Sequence, residues 1–413
     1  MRLAVAQPEP IMPGLVIPQE DYGPPTLRLE DLEQIALRHN PTLSQAGMTV
    51  RAAQGEYLQV GLYPNPSLGY AAADVGIEGT AGQQGMVFGQ EIVTSGKLRL
   101  GRNVAGHEVQ QARRGRDMQQ RRVLNDVRAS YYEVLMAQRM IDVNRELVHI
   151  GEEGLKTNRQ LRAAEEVSEA SVLQARIEAR VADVSLYEAQ NRHDAAWQRL
   201  AGLLGRPMMT PAPLAGDIDA QLPKLEWEAT LEYLWAQSPE LAQAWAGVRR
   251  AECNLALQRA ERMPNLEVEL GAKWDPTTEE ALADVGVGIA LPLFNRNQGN
   301  ITKAHAELIV ARNEVRRVEL DLRDRLVAAF EQYANARRRV ETYKASILPD
   351  AQQSRDMISA HYPDQFDYLT LLTAQRTFFA VSLEYIEALG RLWASSVEID
   401  GLTLSGGLEA VGE

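Results

Sequence analysis

The stretch from about Asn297 to about His361 constrains this chain more than any other. It holds no proline before Pro349, and apolar residues recur at steps of three and four, from Ala304, Leu308, Ala311 and Val315 through Leu326 and Tyr333 to Tyr343 and Ile347. That spacing predicts a helix with a near-heptad seam. Roughly 65 residues at about 1.5 Å each span on the order of 100 Å, several times an ordinary globular helix. No compact domain needs such a rod, and taken alone it reads as a filament-type coiled coil.

The rod occurs twice. Asn40-Pro41-Thr42-Leu43 is answered by Ser238-Pro239-Glu240-Leu241, Val50-Arg51 by Val248-Arg249, Pro66-Ser67-Leu68 by Pro264-Asn265-Leu266, and Ala105, Val109 and Ala112 by Ala304, Leu308 and Ala311. The offset is about 198–199 residues throughout, the mark of an internal duplication.

Composition narrows the function. The 413 residues carry 45% apolar side chains but only 6% aromatics, which suits close helix packing along a seam. Acidic residues outnumber basic ones 56 to 43, which argues against nucleic acid as a partner. Cys253 stands alone, so no intrachain disulfide or cysteine-cluster metal site is expected. The six histidines are scattered without ligand spacing, and His193 on a helical seam reads as a packed side chain. No phosphate loop, HExxH, nucleophile elbow or Cys/His pair is present, so the chain reads as no enzyme, with no catalytic residue, no cofactor and no resident metal. No apolar run reaches the length of a transmembrane helix. Met1–Gln7, with its Ala-x-Ala ending, reads equally as the remnant of a signal peptide or as chance.

In order, residues 1–26 are read as an extended segment. The first repeat covers 27–205: short helices, strands at about 66–74 and 85–93, and a long helical hairpin over 97–205. A Pro-rich linker follows at 206–226. The second repeat covers 227–400, with strands at about 266–274 and 284–293, a loop Asp275–Ala283 between them, and a hairpin over 297–397; a short tail takes 401–413. Each return helix together with the helix before the strands matches one rod in length. The two are therefore expected to stack end to end, with linker and tail in a belt at the junction.

The second strand pair alternates. Leu266, Val268, Leu270, Ala272 and Trp274 interleave with polar residues, and Val285, Val287, Ile289 and Leu291 with glycine and alanine. Segments of this length suit a transmembrane barrel, with Leu266, Val268, Leu270, Trp274, Val285, Val287 and Ile289 on the lipid face. In the first pair Gln90 and Glu91 adjoin, and the pattern does not fix a register.

Together these motifs resemble the TolC-like outer-membrane efflux proteins. They are the doubled Asn/Ser-Pro-x-Leu, the Pro-x-Leu before each strand pair, Gly96-Lys97-Leu98-Arg99, Leu291-Pro292-Leu293-Phe294-Asn295-Arg296-Asn297-Gln298-Gly299, Ile347-Leu348-Pro349 and Leu371–Thr377. The details are closest to the CzcC-like heavy-metal branch. The resemblance implies a mainly α fold with a small β part. Long antiparallel hairpins would form a coiled-coil α-barrel, and each protomer of a homotrimer would give four transmembrane strands. It implies a passive export conduit for small molecules or metal ions, in the outer membrane with a large periplasmic part. A periplasmic adaptor and an inner-membrane pump would be its partners. The competing reading is a structural coiled-coil scaffold of the cell envelope, which has no need of alternating strands.

Both hairpin turns lie farthest from the strands and would form the periplasmic mouth. Asp364, Asp367, Glu165 and Glu166 are expected to ring it, with an alternative capping role for Asp367. Val167, Ser168, Phe366 and Tyr368 are expected to meet the adaptor. The family often has glycine at these turns, where Glu165 and Asp364 stand here.

Overall fold

Two glutamate-free corners start the long helices, and both use a backbone conformation few residues tolerate. Gly96 (φ 67°) precedes α3, Lys97–Ala163, and Asn297 (φ 59°) precedes α7, Gln298–Thr342. Glycine and asparagine are the residues that enter the left-handed region most readily. Asn297 is also fastened, its Nδ2 donating to the Gln258 carbonyl at 2.8 Å. The computed structural model describes residues 26–77, 82–220, 222–362 and 365–409. Most of the expected segment 1–26 lies outside them, as does Asp364.

The remaining helices are α1 (Leu29–His39), α2 (Pro41–Gln59), α4 (Glu169–Leu203), α5 (Trp227–Gln237), α6 (Pro239–Ala260), α8 (Leu348–Ala360) and α9 (Tyr368–Asp400). Pro41 and Pro239 occupy first helical positions, where the missing N–H costs nothing. Asn40 and Ser238 cap them, accepting from Thr42 N at 2.9 Å and Leu241 N at 3.3 Å.

The second rod differs from an unbroken helix in one turn. Residues Tyr343–Ile347 form a π-turn between α7 and α8. The cause is Pro349. It offers no N–H to the Ala345 carbonyl and its ring crowds that oxygen. The Leu348 N–H reaches back to Tyr343 O instead, widening one turn so that the helical path continues.

Strands β1 (Ser67–Ala73), β2 (Gln83–Ile92), β3 (Leu266–Asp275) and β4 (Glu280–Ile289) form one antiparallel sheet in the order β1-β2-β3-β4. The expected bounds of the last strand, 284–293, are corrected by four residues at each end. Thr277 N donates to Asp275 Oδ1 at 2.9 Å and Glu279 takes φ 57°, so the connection is a tight turn. At the far end Pro292 cannot donate to a ladder, and Leu293 N turns back to Leu291 O at 2.9 Å.

The helices form a row in the same order as the strands. Next to the sheet it runs α2–α3–α6–α7, and farther away α4–α3–α9 with α7 and α8. Both halves are spliced end to end. Asn40, capping α2, also donates from Nδ2 to the Leu203 carbonyl that ends α4, at 2.9 Å. In the second half Arg325 of α7 holds Glu240 at the start of α6 and the Thr403 carbonyl just beyond α9, the latter at 3.3 Å.

The main core sits at this level, around Leu32, Trp197, Leu200, Leu322, Leu326, Tyr333 and Leu389. Linker carbonyls are pinned to it by aromatic side chains. Trp197 Nε1 donates to Met209 O at 2.9 Å, Trp393 Nε1 to Ile218 O at 2.7 Å, Tyr333 OH to Pro223 O at 3.0 Å, and Tyr131 OH to Ala215 O. The tail is bound on the opposite course. Asn125 Nδ2 donates to Gly401 O and Leu404 O, both at 2.9 Å. Gln119 and Thr42 donate to Gly407 O, and Gly407 N to Asp126. Burial raises the Asp126 carboxyl above its ordinary range.

Candidate functional site

The sheet has one apolar and one polar face, and strand pairing assigns every residue. Directly opposed residues share a face. One row crosses all four strands as Leu68, Phe88, Leu270 and Val285, and the next joins Gln90, Val268 and Val287. Below it lie Ile92, Leu266 and Ile289, and toward the other end Tyr70, Met86, Ala272 and Ala283. The seven residues expected on a lipid face therefore share one side. The register that the first pair did not reveal puts Gln90 on that side and Glu91 on the other. Among the described residues nothing covers this face: Val285 is 73% exposed.

The opposite face alternates charge with glycine. Glu267 lies between Glu91 and Gly288, Glu269 between Gly89 and Gly286, and Lys273 between Gly85 and Leu282. Lys273 pairs with Asp284, and Asn265 Nδ2 donates to Glu91 Oε1 at 2.6 Å. At Gly85 the neighbouring strand comes so close that a Cβ would strike the Ala272 carbonyl. An exposed apolar face backed by a polar one is the cross-section of a barrel wall around water. Among the described residues β1 and β4 each leave one edge unpaired.

At the other end, the tip residues divide by role. Glu165 takes φ 64°, the left-handed corner of the first turn, a conformation that glycine enters most readily. Ser168 caps α4, accepting from Ser171 N at 3.2 Å. Asp367 caps α9, accepting from Thr370 N at 2.9 Å; the Thr370 hydroxyl first and its amide next hold the carboxyl below its ordinary range. The capping role expected as an alternative for Asp367 is thus present. Glu166 and Asp367 are exposed, Val167 and Phe366 half-buried. Tyr368 is half-buried, its ring 6.3 Å from that of Tyr362 in the same turn. Burial, with the Glu178 charge, pushes its hydroxyl up to about 12. Nearby Arg376 of α9 grips Glu178 of α4, with Nε–Oε2 at 3.0 Å, a tie between hairpins that sequence reading did not find. His193 is packed, its side chain 14% exposed. His361 donates locally to Met357 O at 2.8 Å.

Among the described residues no group of three or more His, Cys, Asp and Glu is placed to hold a metal ion. No helix among them is long and apolar enough to cross a membrane.

The profile of the family described as outer membrane efflux protein matches residues 32–206 and again 231–403. The chain is 30% identical over 390 residues to the cobalt-zinc-cadmium resistance protein CzcC of Cupriavidus metallidurans, spanning 93% of this chain and 91% of that one. Among solved structures, CusC, studied for folding and transmembrane channel formation, superposes with a TM-score of 0.77 at 17% identity over 97% of this chain and 99% of its own. The outer membrane protein VceC of Vibrio cholerae gives 0.73 at 17% identity, over 91% and 96%. The solved structures share the fold. The chain belongs to the outer membrane efflux protein family, as an outer-membrane efflux channel whose helical hairpins form a large periplasmic part.

Proposed function

We propose that three copies of this chain close into one channel-tunnel, a passive conduit that takes divalent metal ions from a periplasmic adaptor and an inner-membrane pump to the outside. The observation that carries the assembly is the open row. β1, α2 and α4 line one edge, and β4, α7 and α8 the other. An unpaired strand edge in lipid leaves backbone groups unsatisfied at several kcal/mol each. Three copies supply twelve strands, an even number within the range of outer-membrane barrels. Mass measurement in mild detergent is expected to give a trimer. A monomer stably inserted in bilayers would overturn the reading.

The cargo rests on the relative, whose name records cobalt, zinc and cadmium resistance. The tip supports the same reading. Threefold symmetry turns Glu165, Glu166 and Asp367 into rings of carboxylate, and Asp364 would add another from outside the described residues. Asp364→Asn with Asp367→Asn keeps an amide able to cap α9. The double variant is expected to lose at least about half of the channel's cation-over-anion preference in planar bilayers. Unchanged selectivity and unchanged block by multivalent cations would leave Asp367 the capping role alone.

A further inference from the structure

The apolar surface does not stop where the sheet stops. At the sheet's helix-side end, three connections emerge at the same level: Leu62-Tyr63 before β1, Met263 before β3, and Leu291–Phe294 after β4. Their large apolar side chains are exposed, Tyr63 at 71% and Phe294 at 91%, with Leu62, Met263, Leu291 and Leu293 also uncovered. Phe294 is among the most exposed large apolar residues of the chain. Solvated connections have no use for six such side chains at one level.

The height of the sheet says what would cover them. The apolar face runs from Ile289 and Leu266 to Ala281 and Trp274. Nine residues at about 3.3 Å give roughly 30 Å along the strand, and a tilt of about 40° leaves roughly 23 Å along the membrane normal. That is a little short of the ~25 Å apolar band of an outer-membrane barrel. The collar continues the band on the periplasmic side and falls at the boundary between acyl chains and headgroups. Aromatic rings of Tyr63 and Phe294 belong at that depth.

Charge then distinguishes the lipid. Arg262 precedes Met263 and Arg296 follows Phe294 by two residues. Both are exposed, and neither guanidinium makes an ion pair or side-chain hydrogen bond among the described residues. Two acids of this region are engaged, Glu261 with Lys97 at 3.3 Å and Glu91 with Asn265 at 2.6 Å, and Glu267 lies opposite Glu91 on the polar face of the sheet. Unpaired arginines at headgroup depth attract anionic lipid.

We infer that Leu62, Tyr63, Met263, Leu291, Leu293 and Phe294 form a membrane-anchoring collar, and that Arg262 and Arg296 beside it bind anionic phospholipid headgroups of the periplasmic leaflet. The inference rests on the barrel reading above and adds a lipid class to it.

The test uses the full chain in two kinds of vesicle, phosphatidylethanolamine alone and phosphatidylethanolamine with one fifth phosphatidylglycerol. Membrane-bound protein is separated by flotation, and oligomer mass is measured independently in detergent. Wild type is expected to bind the anionic vesicles at least about fivefold better, with sensitivity to salt. Arg262→Gln with Arg296→Gln is expected to bring the two vesicle types within about twofold while mass and strand content stay as in wild type. Leu293→Ser with Phe294→Ser is expected to weaken binding to both vesicle types at unchanged mass. An anionic preference untouched by the arginine pair would overturn the headgroup assignment. Loss of oligomer mass in the serine variant, with vesicle binding unchanged, would show the collar to be a copy-to-copy contact and overturn it as well. A wild-type mass other than a trimer counts against the assembly and is read separately from flotation.

Discussion

Arginine in place of Val285 is expected to keep this protein out of the membrane. Val285 sits midway along β4, opposite Leu270, in the apolar row that crosses all four strands. A charged side chain on the lipid face at the bilayer midplane costs about 2–4 kcal/mol. In a trimer the cost recurs once per copy. The recovered fraction of heat-resistant, vesicle-inserted protein is expected to fall by more than tenfold. Glu269→Arg is the control, because Glu269 lies on the opposite face between Gly89 and Gly286, where water and glycine leave room. It is expected to insert normally and to change only ion preference. Equal insertion of both variants would contradict the assignment of the two faces.

The second large effect belongs to Asn40. Its side chain is 3% exposed and serves both halves of a splice, accepting from Thr42 and donating to the Leu203 carbonyl. Asn40→Ala removes a helix cap, at about 1 kcal/mol, and strands a buried carbonyl, at about 1–3 kcal/mol more. The sum, about 3 kcal/mol, is expected as a lowered denaturation midpoint of the detergent-solubilised protein. Ser238→Ala at the equivalent place removes only a cap, since that junction is held by Arg325 instead. It is expected to cost about 1 kcal/mol. If the two alanine variants were equally stable, the Asn40 bridge to α4 would contribute nothing.

The long elements were legible because their signal repeats: a seam renewed at every turn over some tens of residues overwhelms local noise. The caps at Asn40 and Ser238 could have been read more fully, since each stands directly before a proline. Other features leave no periodic trace. The alternation of Val285, Val287 and Ile289 runs on through Leu291 and Leu293, and only the lack of an N–H on Pro292 ends the strand. Gln90 and Glu91 blur a register that pairing with β3 resolves. The π-turn follows from Pro349 acting on a residue four positions earlier. The pins that hold the linker are aromatic N–H and O–H groups meeting carbonyls up to 175 residues away. The short tail after Asp400 was expected in the belt at the junction, but the burial of Leu402 and Leu404 there has no periodic signal to announce it.

That tail sets a timetable. Its Gly407 carbonyl receives the Thr42 hydroxyl across 365 residues of chain, and Leu402 and Thr403 stand at φ 60° and 57° to turn it there. Closing so long a loop is entropically unfavourable until the intervening helices are packed. The first helices of the wall therefore wait for the last residues to be delivered across the inner membrane. Until then Asn125, Gln119 and Asp126 lack the partners that the finished protein gives them. The chain spends its transit with one end of its architecture unfastened, when proteases and chaperones of the periplasm have their best access to it.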